Sequence, residues 1–322
     1  MRPVMMKILI ADSIAPSAVA ELKKEFDVVE QHYSPAELLS EIGKYDAVIV
    51  RSATKISREV FEAGTQLKVI GRAGVGVDNI DVATATKKGI FVVNSPRAST
   101  ISVAEMTIAL ILALGRKVVQ ASIKTKKGEW PKKEFMGLEL FNKKLGFVGC
   151  GRIGSEVAVR AIAFGMKPLI YDPYLPPELF LKFGADKITD LGELFEKSDF
   201  ITIHALLNDE TRGMVSDREF ELMKPTAYLV NCARGGIVDE EALYVALKEG
   251  KIAGAALDVF TVEPAKTHKL FELDNLYVSP HVAASTKEAQ ERAGRITAEQ
   301  VRLVLNGEAP EFCVNARDLK QS

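Results

Sequence analysis

The chain has 322 residues, 47% of them hydrophobic, which exceeds the usual size of one domain and supplies apolar material for two packed cores. Lys and Arg number 42 against 43 Asp and Glu, a formal charge of -1, so no overall basic field draws the chain onto nucleic acid or anionic lipid, and a small molecule is the expected partner. The scattered Cys150, Cys232 and Cys313 offer neither a disulfide framework nor metal-ligand spacing, so no metal site is expected and a reducing, cytoplasmic compartment is.

At the N-terminus a short apolar run stops at Asp12, too early for a secretory signal. From there β-branched runs alternate with helical patterns, the signature of parallel βαβ units and an α/β fold class of doubly wound sheets. In the first third, strands are expected over 7–11, 47–50, 69–71 and 91–93, and helices over 18–26, 35–42 and 80–88. Ser102 followed by Glu105 has the form of a capping box and opens a long periodic helix expected over 102–124, a candidate bridge between domains. The longest apolar stretch, 106–114, falls inside it and is far short of the ~20 residues that span a bilayer, so no membrane segment is expected. A second alternation follows, with strands over 145–148, 168–171, 200–204, 228–231, 255–257 and 276–278. The final helix, over 287–305, comes after that series is complete and is expected to return to the first domain. No linker-like or low-complexity tract marks the boundary.

Gly149-Cys150-Gly151-Arg152-Ile153-Gly154 lies between the strand over 145–148 and a helix expected over 156–164, the order strand, G-x-G-x-x-G, helix. Gly149 permits a tight turn, Gly151 lets a pyrophosphate approach the backbone, and Gly154 lets the helix pack on its strand. The helix N-terminus then offers amide donors and the positive end of its dipole to the phosphates. Such a motif alone often marks only a turn. Here Asp172 ends the next strand at about the 20-residue spacing of a ribose-binding acid, and its carboxylate would repel a 2′-phosphate, so NAD is expected over NADP. The competing run Gly71 to Gly76 has Asn79 at the third-glycine place and reads as a loop. His204 and His281 each follow a predicted strand, where ligands of α/β proteins bind, and spacing does not choose between them as proton carriers.

Several segments resemble the D-isomer-specific 2-hydroxyacid dehydrogenases over essentially the whole chain. They are Val50-Arg51-Ser52-Ala53-Thr54-Lys55, the loop from Gly71 to Asp78, Asn231-Cys232-Ala233-Arg234-Gly235-Gly236, Asp258-Val259-Phe260 through Glu263-Pro264, and Ser279-Pro280-His281 through Ser285-Thr286. The resemblance implies a flavodoxin-like substrate-binding domain from 1–98 and 286–322, a Rossmann-type NAD domain over 99–285 inserted in it, and a homodimer. It selects His281 as the acid–base group, Glu263 as its carboxylate partner and Arg234 as the cation that holds the substrate carboxylate. His204, Cys232, Ala233, Asp258 and Ala283 fall on its cofactor side. Relatives usually carry Pro before the second leucine of Leu206-Leu207, and many carry Gly where Ala283 stands.

This set matches the chemistry of oxidising a 2-hydroxy acid, which needs a base for the hydroxyl proton, a cation for the carboxylate and an acceptor for the hydride from C2. A planar guanidinium can bind a carboxylate bidentately, as a lysine cannot. The resemblance further implies that Arg51 and Arg72 face a substrate phosphate and that Lys132 reaches the site from a second subunit. Val75 and Gly76 would offer backbone donors to the carboxylate. A phosphorylated substrate, 3-phosphoglycerate, is therefore expected. Two alternatives stand beside it: a glyoxylate or hydroxypyruvate reductase, and a dinucleotide-sensing interaction protein on the same scaffold. A thiol nucleophile at Cys232 is disfavoured, because a buried free cysteine is usually a small apolar filler. With its end at Ser322, the chain is expected to lack the C-terminal regulatory domain of longer relatives, and with it feedback inhibition through such a domain.

Overall fold

The computed structural model describes residues 5–319; residues 1–4 and 320–322, on which the readings of the two chain ends partly rest, lie outside the described residues. The chain divides into two compact units, one from the described parts of Met1–Ser99 and Ser285–Ser322, the other from Thr100–Ala284.

The first unit opens with strands β1 (Lys7–Ile10), β2 (Asp27–Glu30), β3 (Ala47–Val50), β4 (Val69–Arg72) and β5 (Phe91–Asn94), and with helices α1 (Pro16–Leu22), α2 (Pro35–Glu41), α3 (Arg58–Ala63) and α4 (Val82–Lys87). The strands form one parallel sheet of order β2-β1-β3-β4-β5. β3 is Ala-Val-Ile-Val and wholly buried, as a strand covered on both faces requires. Caps set several boundaries. Ser34 and Glu37 form a reciprocal capping box in front of α2, and Asp81 accepts the Thr84 amide at 3.0 Å to start α4. The helix expected over 80–88 therefore begins at Val82, since Ile80 is held in a bridge to Ile56. Likewise, the helix expected over 18–26 ends at Leu22; the turns that follow deliver Phe26 to the core and lead into β2. That strand and α3 were not anticipated. β2 is a sheet edge whose outer residues Asp27 and Glu30 are exposed, so it lacks the apolar run of its neighbours.

The second unit begins with α5 (Thr100–Arg116) and α6 (Val118–Lys126), where one helix over 102–124 was expected. Lys117 adopts a left-handed conformation at φ 51°, and the Leu138 amide takes the Gly115 carbonyl at 2.9 Å, so a crossing segment interrupts the helical ladder. Ser102 is no cap either: it is buried inside α5, and the Glu105 carboxylate faces Arg160 at 3.6 Å. The alternation continues through β6 (Lys144–Val148), α7 (Arg152–Ala163), β7 (Lys167–Tyr171), α8 (Pro177–Phe183), β8 (Asp186–Lys187), α9 (Leu191–Lys197), β9 (Phe200–Ile203), α10 (Asp217–Leu222), β10 (Tyr228–Asn231), α11 (Glu240–Lys248), β11 (Gly254–Leu257) and β12 (Leu276–Val278). The sheet is again parallel, with order β12-β11-β10-β9-β6-β7-β8. Leu110, Ile111 and Leu114 of α5 share one buried core with Val157, Ala158 and Ala161 of α7.

The last long helix, α12 (Lys287–Leu305), starts at Thr286, whose hydroxyl accepts the Ala289 amide at 3.1 Å. It packs on the first sheet at Gly71 of β4, where a Cβ would lie 2.7 Å from Val301 and 2.8 Å from Thr297. Beyond it Cys313 bridges antiparallel to Val93, and the buried Asn315 accepts the Val92 amide and donates to the Ile90 carbonyl, which covers the open edge of β5. No helix among the described residues is long and apolar enough to cross a membrane.

Candidate active site

In the second unit the strand order reverses between β6 and β9, and ligands of open parallel sheets bind at the carboxyl ends of such strands. The turn after β6 has the form that its glycines require. Gly149 sits at φ 80°, and a Cβ there would lie 3.0 Å from the Ala205 amide nitrogen, so the two strand ends approach backbone to backbone. Around Gly151 a Cβ would meet nothing within 4 Å, an open face above the first turn of α7. At Gly154 a Cβ would lie 3.1 Å from the Gly149 carbonyl oxygen. These glycines leave a cradle of amides at a helix N-terminus, which fits a pyrophosphate. Arg152 and Ile153 belong to the first turn of α7. Asp172 bends back to this turn, accepting the Cys150 amide at 2.7 Å and the Tyr174 amide at 2.9 Å. Its carboxylate thus lies beside the glycine turn, with further lone pairs for a ribose diol.

The two candidate histidines differ in their surroundings. His204 follows β9, contacts the Thr202 hydroxyl at 2.9 Å, and has its pKa pulled down to about 3 by burial, although the residue as a whole keeps some surface. Its ring stays neutral at ordinary pH. His281 lies on the loop after β12 with φ 53°, its Nδ1 2.7 Å from Glu263 Oε2. Asp258, fully buried at the end of β11, shapes that loop by accepting the Ser279 hydroxyl at 2.5 Å, the Val282 amide at 2.9 Å and the Ala283 amide at 2.8 Å. Glu263 is itself fixed, because its Oε1 accepts the Phe260 amide at 2.9 Å.

Arg234 stands on the loop after β10, where the buried Asn231 accepts the Ala233 amide at 3.0 Å and donates to the Arg234 carbonyl at 2.9 Å. Sequence reasoning missed the part played by Asn231, although the residue opens the quoted segment. A Cβ on Gly235 would lie 2.0 Å from the Phe260 carbonyl carbon, so the Arg234 loop and the Phe260–Glu263 segment touch through backbone. Cys232 is buried and its thiol is pushed up to about 12 by desolvation, which leaves no thiolate for nucleophilic chemistry. Among the described residues no cluster of three or more His, Cys, Asp or Glu is placed to hold a metal.

In the first unit the order also reverses, between β1 and β3, and a cavity of about 340 Å³ opens at those strand ends, lined by Asp12, His32, Arg51 and their neighbours. The buried Asp12 accepts the Arg51 amide at 2.7 Å and the Thr54 hydroxyl at 2.7 Å. From the other side Asn79 donates to the Arg51 carbonyl at 2.8 Å. Neither Asp12 nor Asn79 was singled out from the sequence as a support of Arg51. Arg72 ends β4 and lies across Gly74, where a Cβ would sit 1.3 Å from its Nη1. Val75 and Gly76 follow on the same loop, which the Asn94 side chain holds at the Val75 carbonyl at 2.7 Å. Lys132 belongs to the second unit, on an exposed turn tied to α6 by the Lys124–Glu134 pair at 2.7 Å.

Residues 108–283 match the family described as D-isomer specific 2-hydroxyacid dehydrogenase, NAD binding domain. Over 318 residues the chain is 51% identical to the D-3-phosphoglycerate dehydrogenase of Methanocaldococcus jannaschii, covering 98% of this chain and 61% of that one. The chain spans roughly three fifths of the length of the curated relatives it matches. A solved protein of Pyrococcus horikoshii OT3 superposes with a TM-score of 0.82 at 37% identity, covering 100% of this chain and 97% of the other. A glyoxylate reductase from Paecilomyes thermophila gives a TM-score of 0.88 at 30% identity, covering 98% and 99%.

Proposed function

We propose, for a chain that belongs to the D-isomer specific 2-hydroxyacid dehydrogenase family, that it oxidises D-3-phosphoglycerate to 3-phosphohydroxypyruvate with NAD, as in serine biosynthesis. The observation that carries this reading is the His281–Glu263 contact at 2.7 Å, with the Arg234 loop in backbone contact with the segment that holds Glu263. A carboxylate only accepts, so Nδ1 of His281 donates to Glu263 and Nε2 is left to take the C2 hydroxyl proton. Arg234 holds the substrate carboxylate and polarises the C2 oxygen. Bound NAD supplies the acceptor for the hydride leaving C2. Gly149, Gly151, Arg152, Ile153 and Gly154 hold its pyrophosphate, Asp172 its ribose, and His204, Cys232, Ala233, Asp258 and Ala283 flank the remainder.

Arg51 and Arg72 take the substrate phosphate, a role supported by the cavity beside Arg51 and by the names of the curated relatives. The test compares turnover of phosphohydroxypyruvate and hydroxypyruvate. Arg51→Ala and Arg72→Ala should each cost roughly 1.5–3 kcal/mol in kcat/KM on the phosphorylated substrate, the scale of a hydrogen bond to a charged group. Hydroxypyruvate should be little affected. Equal losses on both would overturn the phosphoglycerate assignment and leave the reductase reading.

The working unit in this proposal is a homodimer in which Lys132 serves the partner's site. Trp130 and Met136 on the Lys132 turn, and Val118, Val119 and Ile123 on α6, are exposed, an apolar surface that a second copy would cover. Sedimentation velocity at micromolar concentration should find a dimer, and Trp130→Glu with Ile123→Glu should dissociate it; a wild-type monomer would remove Lys132 from the site. The three free cysteines suit a reducing cytoplasm.

A further inference from the structure

The second unit holds another His–Glu pair that the reaction does not use. Glu240, the first residue of α11, places Oε2 3.0 Å from His268 Nε2, and the two side chains keep only 15% and 21% of their surface exposed. Its other oxygen, Oε1, accepts both the Thr261 amide at 2.6 Å and the Thr261 hydroxyl at 2.8 Å. The histidine is oriented in turn: Nδ1 accepts the Leu270 amide at 3.2 Å, so the ring proton lies on Nε2 and is donated to Glu240. Phe260 and Phe271 flank the ring, with centroids 6.0 and 5.7 Å away. Every polar atom of the pair therefore has a defined partner, and Glu240 Oε1 is the one that grips the Phe260–Thr261 peptide.

That peptide, Phe260–Thr261, is where the site's two charged loops meet. The Phe260 amide, which belongs to the adjoining Val259–Phe260 peptide, donates to Glu263 Oε1 at 2.9 Å, and Glu263 in turn faces His281. The carbonyl of Phe260 lies against Gly235, the residue after Arg234, closely enough that a Cβ there would sit 2.0 Å from the carbonyl. Phe260 thus joins both loops, and its displacement would move Glu263 relative to His281 and shift the Arg234 loop together with it. From outside the loop, Glu240 accepts the amide of Thr261.

We infer that Glu240 and His268 are positioning residues, which lock the Phe260–Thr261 peptide so that Glu263 and Arg234 keep their places around the reacting carbon. The inference rests on the reading of His281–Glu263 as the acid–base pair. A half-buried carboxylate bonded to three donors on a neighbouring segment restrains that segment more than an exposed ion pair with one partner would. Displacements of about 1 Å away from the chemistry are enough to cost about 10²-fold in rate.

The test uses the full-length enzyme. The His281 Nδ1 proton donated to Glu263 should give a resolved downfield proton resonance, identified by its absence in His281→Asn. Glu240→Ala should abolish that resonance and lower kcat by about 10²-fold while NAD affinity is unchanged. Glu240→Gln keeps a carbonyl oxygen for the Thr261 amide and should restore most of both signals. If Glu240→Ala fails to fold, His268→Ala carries the test, because it removes only the restraint on Glu240 and should weaken the resonance and kcat together. A lowered melting temperature with resonance and kcat intact would overturn the proposal and leave the pair a merely structural contact. The resonance is read without substrate, so the two readings separate. Loss of the resonance in a protein that oxidises no 2-hydroxy acid would sink the functional reading and keep the positioning role. An unmoved resonance in an active enzyme would do the reverse.

Discussion

His281 and Glu263 are 18 residues apart in sequence and meet at 2.7 Å because a buried aspartate, Asp258, gathers the loop that carries the histidine. General acid–base help of this kind contributes about 10²–10⁴-fold, so His281→Asn should depress kcat by at least about 10²-fold. NAD affinity should survive, since in the proposed arrangement the ring faces substrate; a kcat near that of the wild type would remove His281 from the mechanism. The residue types were legible in the sequence, and the quoted segments held His281, Glu263 and Arg234 alike. Spacing left open the choice between His204 and His281, which the family resemblance made for His281. The physical difference between them, which ring finds a carboxylate and which is shut away from water, is not local.

At the scale of elements, the loops after β10 and β11 are joined by the absence of one side chain. Gly235→Ala would drive a Cβ to 2.0 Å from backbone atoms of Phe260, which cannot move aside as a flexible side chain could. The expected outcome is a loss of roughly 1–3 kcal/mol in unfolding free energy, the scale of overpacking, with most of the activity lost as well. An alanine variant with wild-type kcat and denaturation midpoint would show that the loops tolerate separation. The inner strands of both sheets were readable from their apolar runs, and α12 from its long amphipathic period. The interruption between α5 and α6 was not, because apolar periodicity continues through Lys117 while a remote segment at Leu138 captures the helix carbonyl. Edge strands β2 and β8 escaped for the complementary reason: with little to bury, they carry little hydrophobic signal.

For the molecule as a whole, the buried neutral imidazole of His204 couples stability to pH. Its folded-state pKa near 3 lies below the ordinary 6.5, so the unfolded chain binds one more proton between those values. Stability from this group is therefore intact above about pH 6.5 and is lost as pH falls toward 3, by at most about 1.4 kcal/mol per pH unit. Denaturant midpoints measured at pH 7 and pH 5 should fall for the wild type and fall less for His204→Gln; identical slopes would mean that the ring accepts its proton in the folded state. The sequence by itself determined the alternation of strands and helices, the glycine turn with its acid at the end of the next strand, and the set of charged groups a 2-hydroxy acid would need. The first two follow from side-chain periodicity and backbone freedom, which are properties of neighbouring residues, and the charged groups from the segments that resemble the family. Only the tertiary structure decided which histidine has a carboxylate, where the long helix breaks, and that Asp12 and Asn79 bond the backbone of Arg51, Asn231 the Arg234 loop, Asp258 the His281 loop and Glu240 the Thr261 amide. Each of those outcomes is set by hydrogen bonds and burial among segments distant in the chain, and no local pattern records them.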